Sequence, residues 1–169
     1  MKNKLLVAAV VLVGLASVAY AAFTQTLTIN GTGNATGDWD VKITGITRTT
    51  ADGTNGATNV SAPTFNGTSA TFDVDLAYPG ATATYDVTVT NAGTVAAILD
   101  TVGGVTAANA AAPTYIDYTV TGVTDGVTTL AANGGTNTAS VKVEWDPLDT
   151  TSGAATKTAT ITLNYEQAP

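Results

Sequence analysis

The sequence predicts an all-β protein, an antiparallel β-sandwich or jelly roll with a free N-terminal strand. Three observations predict this fold. Apolar and polar residues alternate with a period of two in many short runs, turn residues separate these runs, and no long amphipathic helix pattern occurs. The 169 residues contain no cysteine, so stability must come from the core and the strand ladders rather than from disulfide bonds.

Residues 1–22 are predicted to be an export signal. Lys2 and Lys4 precede an apolar run from Leu5 to Val18, and small residues then lead to Ala22. This run is about 14 residues long, whereas roughly 20 are needed to span a bilayer. Cleavage is therefore favoured over the alternative, an uncleaved membrane anchor. We expect the mature protein to be secreted, extracellular or at the cell surface, with no membrane segment left.

The next segment, residues 23–31, is predicted to be a free N-terminal strand. Phe23, Gln25, Leu27 and Ile29 share one face, and threonines occupy the other. A strand that begins at a free chain end can pair with its own sheet or with the sheet of a neighbouring molecule. Residues 32–169 are predicted to form one β-sandwich domain of ordinary size.

Seven strands are predicted in this domain. They are Trp39–Thr47, Ser69–Leu76, Thr82–Thr90, Thr94–Thr101, Tyr115–Val123, Ala139–Trp145 and Lys157–Tyr165. The strand at Thr94–Thr101 is a more continuous apolar run, so we expect it to be buried on both faces. Residues 49–68 and 105–113 are predicted as surface loops, with a helical turn at Ala107–Ala112.

The aromatic side chains are predicted to belong to the core. The five that lie in or beside predicted strands are Trp39, Tyr85, Tyr118, Trp145 and Tyr165. Aromatic residues supply large buried surfaces in sandwiches. The alternative is an exposed platform that binds carbohydrate.

Charge and composition exclude several classes of function. The formal charge is −7, and it becomes −9 when Lys2 and Lys4 leave with the signal. The mature chain then has four basic side chains, Lys42, Arg48, Lys142 and Lys157, too few and too scattered for nucleic-acid binding. Histidine and cysteine are absent, which excludes Ser-His-Asp and Cys-His catalysis and histidine-based zinc sites. We expect no enzymatic activity and no cofactor.

Three pairs of aspartates are candidate sites. They are Asp38 with Asp40, Asp73 with Asp75, and Asp146 with Asp149. Paired carboxylates can bind calcium or act as acid and base in glycoside hydrolysis. The simpler interpretation is a solvated strand face for Asp73 and Asp75 and a turn for Asp146 and Asp149. No run matches an EF-hand loop, so no metal site is predicted.

Four Asn-Xaa-Ser/Thr sequons precede residue 70. Their asparagines are Asn30, Asn34, Asn59 and Asn66, all in predicted turns. On an exported chain such positions are candidates for N-glycosylation. A chain so rich in Asn and Thr also produces sequons by chance, so both interpretations stay open.

Two segments resemble TasA and camelysin-type proteins, the exported β-sandwich subunits of biofilm matrix fibres, and their archaeal bundling-pilus relatives. One segment is the export junction Tyr20-Ala21-Ala22-Phe23. The other is residues 76–94, where the Pro79-Gly80 turn opens a strand that closes at Asn91-Ala92-Gly93. The resemblance implies that the N-terminal strand, Phe23 to Ile29, is a donor strand that enters the sheet of the next subunit and makes a head-to-tail homopolymer.

The function expected from these observations is that of a structural subunit of an extracellular filament. The outward strand faces carry Thr far more often than Lys or Glu, and neutral faces of this kind permit pairing with other chains. Lateral bundling of neighbouring filaments is part of this expectation. The alternative is a monomeric exported module, for instance a β-sandwich that binds carbohydrate or calcium.

Overall fold

The computed structural model describes residues 36–150 and 156–169 of the chain. These residues form nine strands, one 3-10 turn (Thr54–Gly56) and one short helix, α1 (Val105–Ala110). The strands are β1 (Val41–Arg48), β2 (Ala57–Phe65), β3 (Ala70–Leu76), β4 (Thr82–Asn91), β5 (Ala97–Gly103), β6 (Ile116–Thr121), β7 (Thr129–Leu130), β8 (Gly135–Trp145) and β9 (Thr162–Gln167).

The predicted signal and donor strand lie outside the described residues. This concerns residues 1–22 and 23–31, with Phe23, Gln25, Leu27 and Ile29, and also the sequon asparagines Asn30 and Asn34. Among the residues that are described, no helix is long and apolar enough to cross a membrane.

One layer of the fold is a four-stranded antiparallel sheet with the strand order β1-β4-β8-β6. Its central pair, β4 and β8, is in register from Thr82 opposite Glu144 to Asn91 opposite Gly135 without a bulge. Burial alternates residue by residue along β4, because successive side chains of a strand point to opposite faces. The predicted period of two is therefore confirmed for β4, whereas in β1 a register shift between Ile43 and Gly45 interrupts it.

The other layer consists of two separate smaller sheets. One is the hairpin β2-β3, and the other is three-stranded with the order β7-β5-β9. We call them the hairpin half sheet and the three-stranded half sheet. Ala57 of β2 packs with Tyr85 and Val143 of the four-stranded sheet, while Ala97 and Leu130 pack with Val89. Both half sheets thus bury apolar side chains against the four-stranded sheet, and the predicted antiparallel β-sandwich is confirmed.

Four of the five aromatic residues predicted to be in the core lie there in the structure. Tyr85, Tyr118 and Trp145 are buried, and Tyr165 is half-buried against the second cluster. Trp39 is 46% exposed, so this prediction is wrong. Trp39 precedes β1, in a segment whose neighbouring carbonyls accept backbone hydrogen bonds from the loop at residues 92–94. It therefore lies outside the two packed layers.

Five other parts of the fold differ from the prediction. β2 lies inside the predicted loop at residues 49–68, and β7 was not predicted. β5 is not buried on both faces, because Ala97 and Leu99 are buried while Asp100 and Thr101 are exposed. β9 begins at Thr162, five residues later than predicted. The surface segment at 105–113 contains α1, two residues N-terminal to the predicted helical turn.

Candidate functional site

The most prominent concave feature of the described residues is a groove between the two half sheets. It has a volume of about 990 Å³. Its floor is the inner face of the four-stranded sheet, with Ile46, Val87 and Val141 among the floor residues. One wall is β3 with the turn before it, and the other wall is the segment 156–165. The groove is thus apolar below and bounded by strand backbone on both sides.

The two walls present strand edges that have no partner among the described residues. β3 pairs with β2 on one side, and β9 pairs with β5 on one side. No other strand of the described part of the chain is hydrogen-bonded to either of them. Since unpaired strand edges offer a row of N–H and C=O groups, the groove can accept an additional strand between β3 and β9.

The segment just before β9 has the burial pattern of a strand but no ladder. From residue 156 to 161 exposed and half-buried positions alternate, with Lys157, Ala159 and Ile161 inward. Ala159 and Ile161 pack against the first core cluster. Among the described residues this segment belongs to no β-ladder. The sequence pattern therefore predicted a longer strand because the side chains alternate, while its backbone has no ladder partner in the described chain.

The outer edge of β6 is closed by a side chain. The Nδ2 group of Asn109 on α1 donates to the Tyr118 carbonyl at 2.9 Å, and the Tyr118 N–H donates to Asn109 Oδ1 at 2.8 Å. The amide side chain thus occupies the positions that a neighbouring strand would use. Natural sheets protect their edges from unwanted pairing in this general way.

The outer edge of β2 is closed by the loop that precedes it. Arg48 donates through Nη2 to the Ala57 carbonyl at 2.7 Å, and the Asn59 N–H donates to Asp52 Oδ1 at 2.7 Å. Arg48 also donates through Nη1 to Asp52 and to Asn59 Oδ1, and its side chain is only 6% exposed. This buried guanidinium therefore fastens β2, and with it the hairpin half sheet, to the end of β1.

The remaining outer edges are taken up in part by other segments of the described chain. The Ile43 N–H of β1 donates to the Gly67 carbonyl in the β2–β3 turn at 2.9 Å. β7 is only two residues long, and beyond it the Val102 N–H of β5 donates to Asp125 Oδ1 at 2.9 Å. The edges that face the groove thus differ from the outer edges, where other groups take up the backbone hydrogen bonds.

One end of the groove is anchored by Lys157. Its Nζ group donates to the carbonyl oxygens of Pro113 and Ile116, and at 3.4 Å to that of Asn109. The Lys157 carbonyl in turn accepts a hydrogen bond from the Tyr118 hydroxyl at 3.1 Å. Because an ammonium group is well satisfied by three carbonyls, these contacts hold the wall segment over β6.

Burial raises the pKa of three tyrosines that pack between the layers. For Tyr118 desolvation is the cause, and for Tyr165 desolvation outweighs a hydrogen bond to Asn137 that lowers the pKa. For Tyr85 desolvation raises the pKa and the nearby Arg48 guanidinium opposes it. These hydroxyls therefore stay protonated at neutral pH and act as hydrogen-bond donors, as Tyr85 does toward Asn59.

The aspartate pairs are not gathered into one site. No group of three or more acidic side chains that could hold a metal ion occurs in residues 36–150 and 156–169. Asp73 and Asp75 lie on the exposed face of β3. Asp146 accepts the Leu148 N–H at 2.8 Å, and Asp149 accepts the Trp145 indole N–H at 2.9 Å. In the predicted turn at Asp146 to Asp149, both carboxylates thus accept hydrogen bonds from neighbouring residues.

The two described sequon asparagines have different surroundings. Asn66 is exposed in the turn between β2 and β3. Asn59 is half-buried within β2, where it contacts Tyr85 and Arg48, and it is not in a turn as predicted. The missed strand β2 explains this difference, because the whole of residues 49–68 was assigned to a loop.

Comparison with known proteins gives no further identification. No protein-family model, no curated protein and no solved structure matches this chain. The function is therefore argued from the groove and its two open strand edges.

Proposed function

We propose that this protein is a structural subunit of an extracellular filament and that subunits are joined by donor-strand complementation. The N-terminal arm, residues 23–31 of one copy, occupies the groove of the next copy. The observation that carries this proposal is the pair of strand edges, β3 and β9, that face each other across an apolar floor without a partner in the described chain. We further propose export, cleavage near Ala22 and assembly at the cell surface.

The arm has the pattern that such a groove requires. It alternates Phe23, Gln25, Leu27 and Ile29 with threonines. Inserted between β3 and β9, it joins the two half sheets into one continuous sheet, and the apolar face lies on the floor. Each fully buried anchor contributes roughly 1.5–3 kcal/mol, and each ladder hydrogen bond about 0.5–1.5 kcal/mol net.

Head-to-tail assembly follows because the arm and the groove lie at different positions on the subunit. Arm and groove are different parts of the chain, so the contact is heterologous, and a heterologous contact that does not close produces a filament. The resemblance of residues 20–23 and 76–94 to fibre subunits supports the same assembly. Lateral bundling of such filaments is a further part of the proposal.

Two variants test the arm: a deletion and a double substitution that introduces charge. We expect removal of residues 23–29, or the double change Leu27→Asp and Ile29→Asp, to leave a folded β-rich monomer that makes no filaments in electron micrographs. The matched control is Thr26→Ser with Thr28→Ser on the other face, which should still polymerise. Normal filaments from the deletion variant would refute the proposal, and loss of the β-rich circular dichroism signal would assign the arm to its own domain.

The groove is tested by adding the arm back as a peptide. Trp39 lines the groove and is 46% exposed, whereas Trp145 is buried, so binding should change the fluorescence of Trp39. A synthetic peptide of residues 23–31 should bind saturably to the deletion variant. The same peptide with Leu27→Asp and Ile29→Asp should not bind. Equal binding of both peptides would show that the apolar face is not recognised.

A further inference from the structure

We infer that Asn66 is an N-glycosylation site and that Asn59, despite its sequon, is not. The inference rests on the export part of the proposed function, because the glycan is transferred outside the cytoplasm. The ligand class is an oligosaccharide delivered from a lipid-linked donor by the host's transferase. A bond forms between Asn66 Nδ2 and the sugar C1, the bond from C1 to the donor's phosphate oxygen breaks, and the amide loses one proton.

The side chain of Asn66 is held in a conformation that leaves its reactive atom free. Its Oδ1 accepts three hydrogen bonds, from the Thr68 N–H at 2.9 Å, the Thr68 hydroxyl at 3.0 Å and the Ser69 N–H at 2.9 Å. No described residue accepts a hydrogen bond from Asn66 Nδ2. Since an asparagine amide offers its oxygen as acceptor and its nitrogen as donor, glycan transfer to Nδ2 keeps all three bonds of the turn.

The position of Asn66 also provides room for a glycan. Residues 66–69 connect β2 to β3, and all four are exposed. The Ile43 N–H holds the turn from below through the Gly67 carbonyl. The side chain therefore projects from a fixed turn rather than from a packed strand.

Asn59 differs in each of these respects. It lies in β2 opposite Val74 and is half-buried. Its Oδ1 accepts hydrogen bonds from the buried Tyr85 hydroxyl and from Arg48 Nη1. The nitrogen of the same amide group lies beside these contacts, so a sugar on it would displace the groups that fasten β2. The folded protein therefore favours glycosylation of Asn66 and disfavours glycosylation of Asn59.

The Asn66 turn lies at the rim of the groove. Gly67, Thr68 and Ser69 line it, next to the open edge of β3. A glycan on Asn66 thus lies beside the groove and covers the exposed end of that edge. Unpaired edges are prone to unspecific association, so this glycan limits pairing of β3 with strands other than the arm.

The test is mass spectrometry of full-length protein from its natural source, digested after aromatic residues. Cleavage after Phe65 and Phe72 separates the two sequons, since it places Asn66 in the peptide 66–72 and Asn59 in a different one. We expect the glycan mass on peptide 66–72 and the peptide with Asn59 unmodified. An unmodified Asn66, or a glycan on Asn59, overturns the inference.

Two variants distinguish the site from its neighbours. Asn66→Asp keeps an acceptor oxygen for the turn but removes the amide, and it should lose the whole glycan mass of peptide 66–72. Ser61→Ala destroys the Asn59 sequon without touching the Asn59 side chain, and it should leave the protein's mass unchanged apart from the substitution. Unmodified Asn66 on a chain whose N-terminus begins near Ala22 shows that only this inference fails. A retained Met1 shows that the export step of the proposed function fails.

Discussion

The buried guanidinium of Arg48 should be a main support of the groove wall, and Arg48→Met tests this. Methionine keeps an unbranched apolar stem but donates no hydrogen bond. The change removes the charge-assisted bonds to the Ala57 carbonyl and to Asn59 Oδ1. Bonds of this kind contribute about 1.5–3 kcal/mol each. The Tyr85 hydroxyl continues to satisfy Asn59 Oδ1, so we expect a total loss of about 2–4 kcal/mol in the free energy of unfolding.

Asp52→Asn is the matched control for this prediction. The Asp52 side chain is 54% exposed and that of Arg48 is 6% exposed, so only the carboxylate side of this ion pair is open to water. Asparagine keeps an oxygen for the Asn59 N–H, and Arg48 keeps its bonds to the Ala57 carbonyl and to Asn59 Oδ1. We expect a loss on the order of 1 kcal/mol, smaller than that for Arg48→Met, because water solvates the exposed partner.

The assay is urea unfolding followed by circular dichroism, in the Leu27→Asp and Ile29→Asp background so that polymerisation does not interfere. A loss for Arg48→Met no larger than that for Asp52→Asn would refute the view that this guanidinium holds the hairpin half sheet. A second readout is the Tyr85 hydroxyl. Arg48 opposes the effect of burial on its pKa, so Arg48→Met should raise that pKa further in an alkaline absorbance titration.

The remaining predictions concern pH, the β6 edge and metal ions. Burial raises the pKa of the Tyr118 hydroxyl in the folded state. The stability that comes from the protonated hydroxyl is therefore fully present below the unfolded-state pKa, near 10. It is lost as the pH rises through the folded-state pKa. Tyr118→Phe should flatten that alkaline loss in unfolding midpoints measured from pH 8 to about 12. Asn109→Ala should cost about 1–3 kcal/mol and increase concentration-dependent light scattering, whereas unchanged scattering would show that the β6 edge needs no protection. A calcium chelator should leave filaments intact in electron micrographs, and complete depolymerisation would show that aspartates such as Asp73 and Asp75 hold a structural cation.

The sheet that forms the groove floor could be predicted from the sequence. β4 and β8 show the period of two because one face of each strand is more deeply buried than the other. Val87, Val89 and Val141 alternate with polar residues inside two of the predicted strands, and all three are buried. A single alternating pattern is sufficient where burial alone decides which residues are apolar.

β2 could not be predicted in the same way. Its residues Ala57–Phe65 include several polar side chains and a proline, and only Ala57 is buried. What makes it a strand is its pairing with β3 and the hydrogen bonds from Arg48 and Asp52. Strand pairing and side-chain contacts of this kind leave no periodic signal in the local sequence. Because β2 was missed, so was the division of the second layer that forms the groove.

Trp39 shows the opposite error. Trp39 begins the predicted strand Trp39–Thr47, but β1 begins only at Val41. Hydrophobicity alone does not show where a strand ends, because strand boundaries depend on which backbone partners are present. An exposed tryptophan at the groove is a consequence that only the structure reveals.

A reconstruction of the native filaments by electron cryomicroscopy tests the central claim most directly. The account predicts a strand of density between β3 and β9 in every subunit, with side-chain features of residues 23–29, that continues into the adjacent subunit. A groove filled by the arm of the same subunit, or filaments in which the groove is empty, would contradict it.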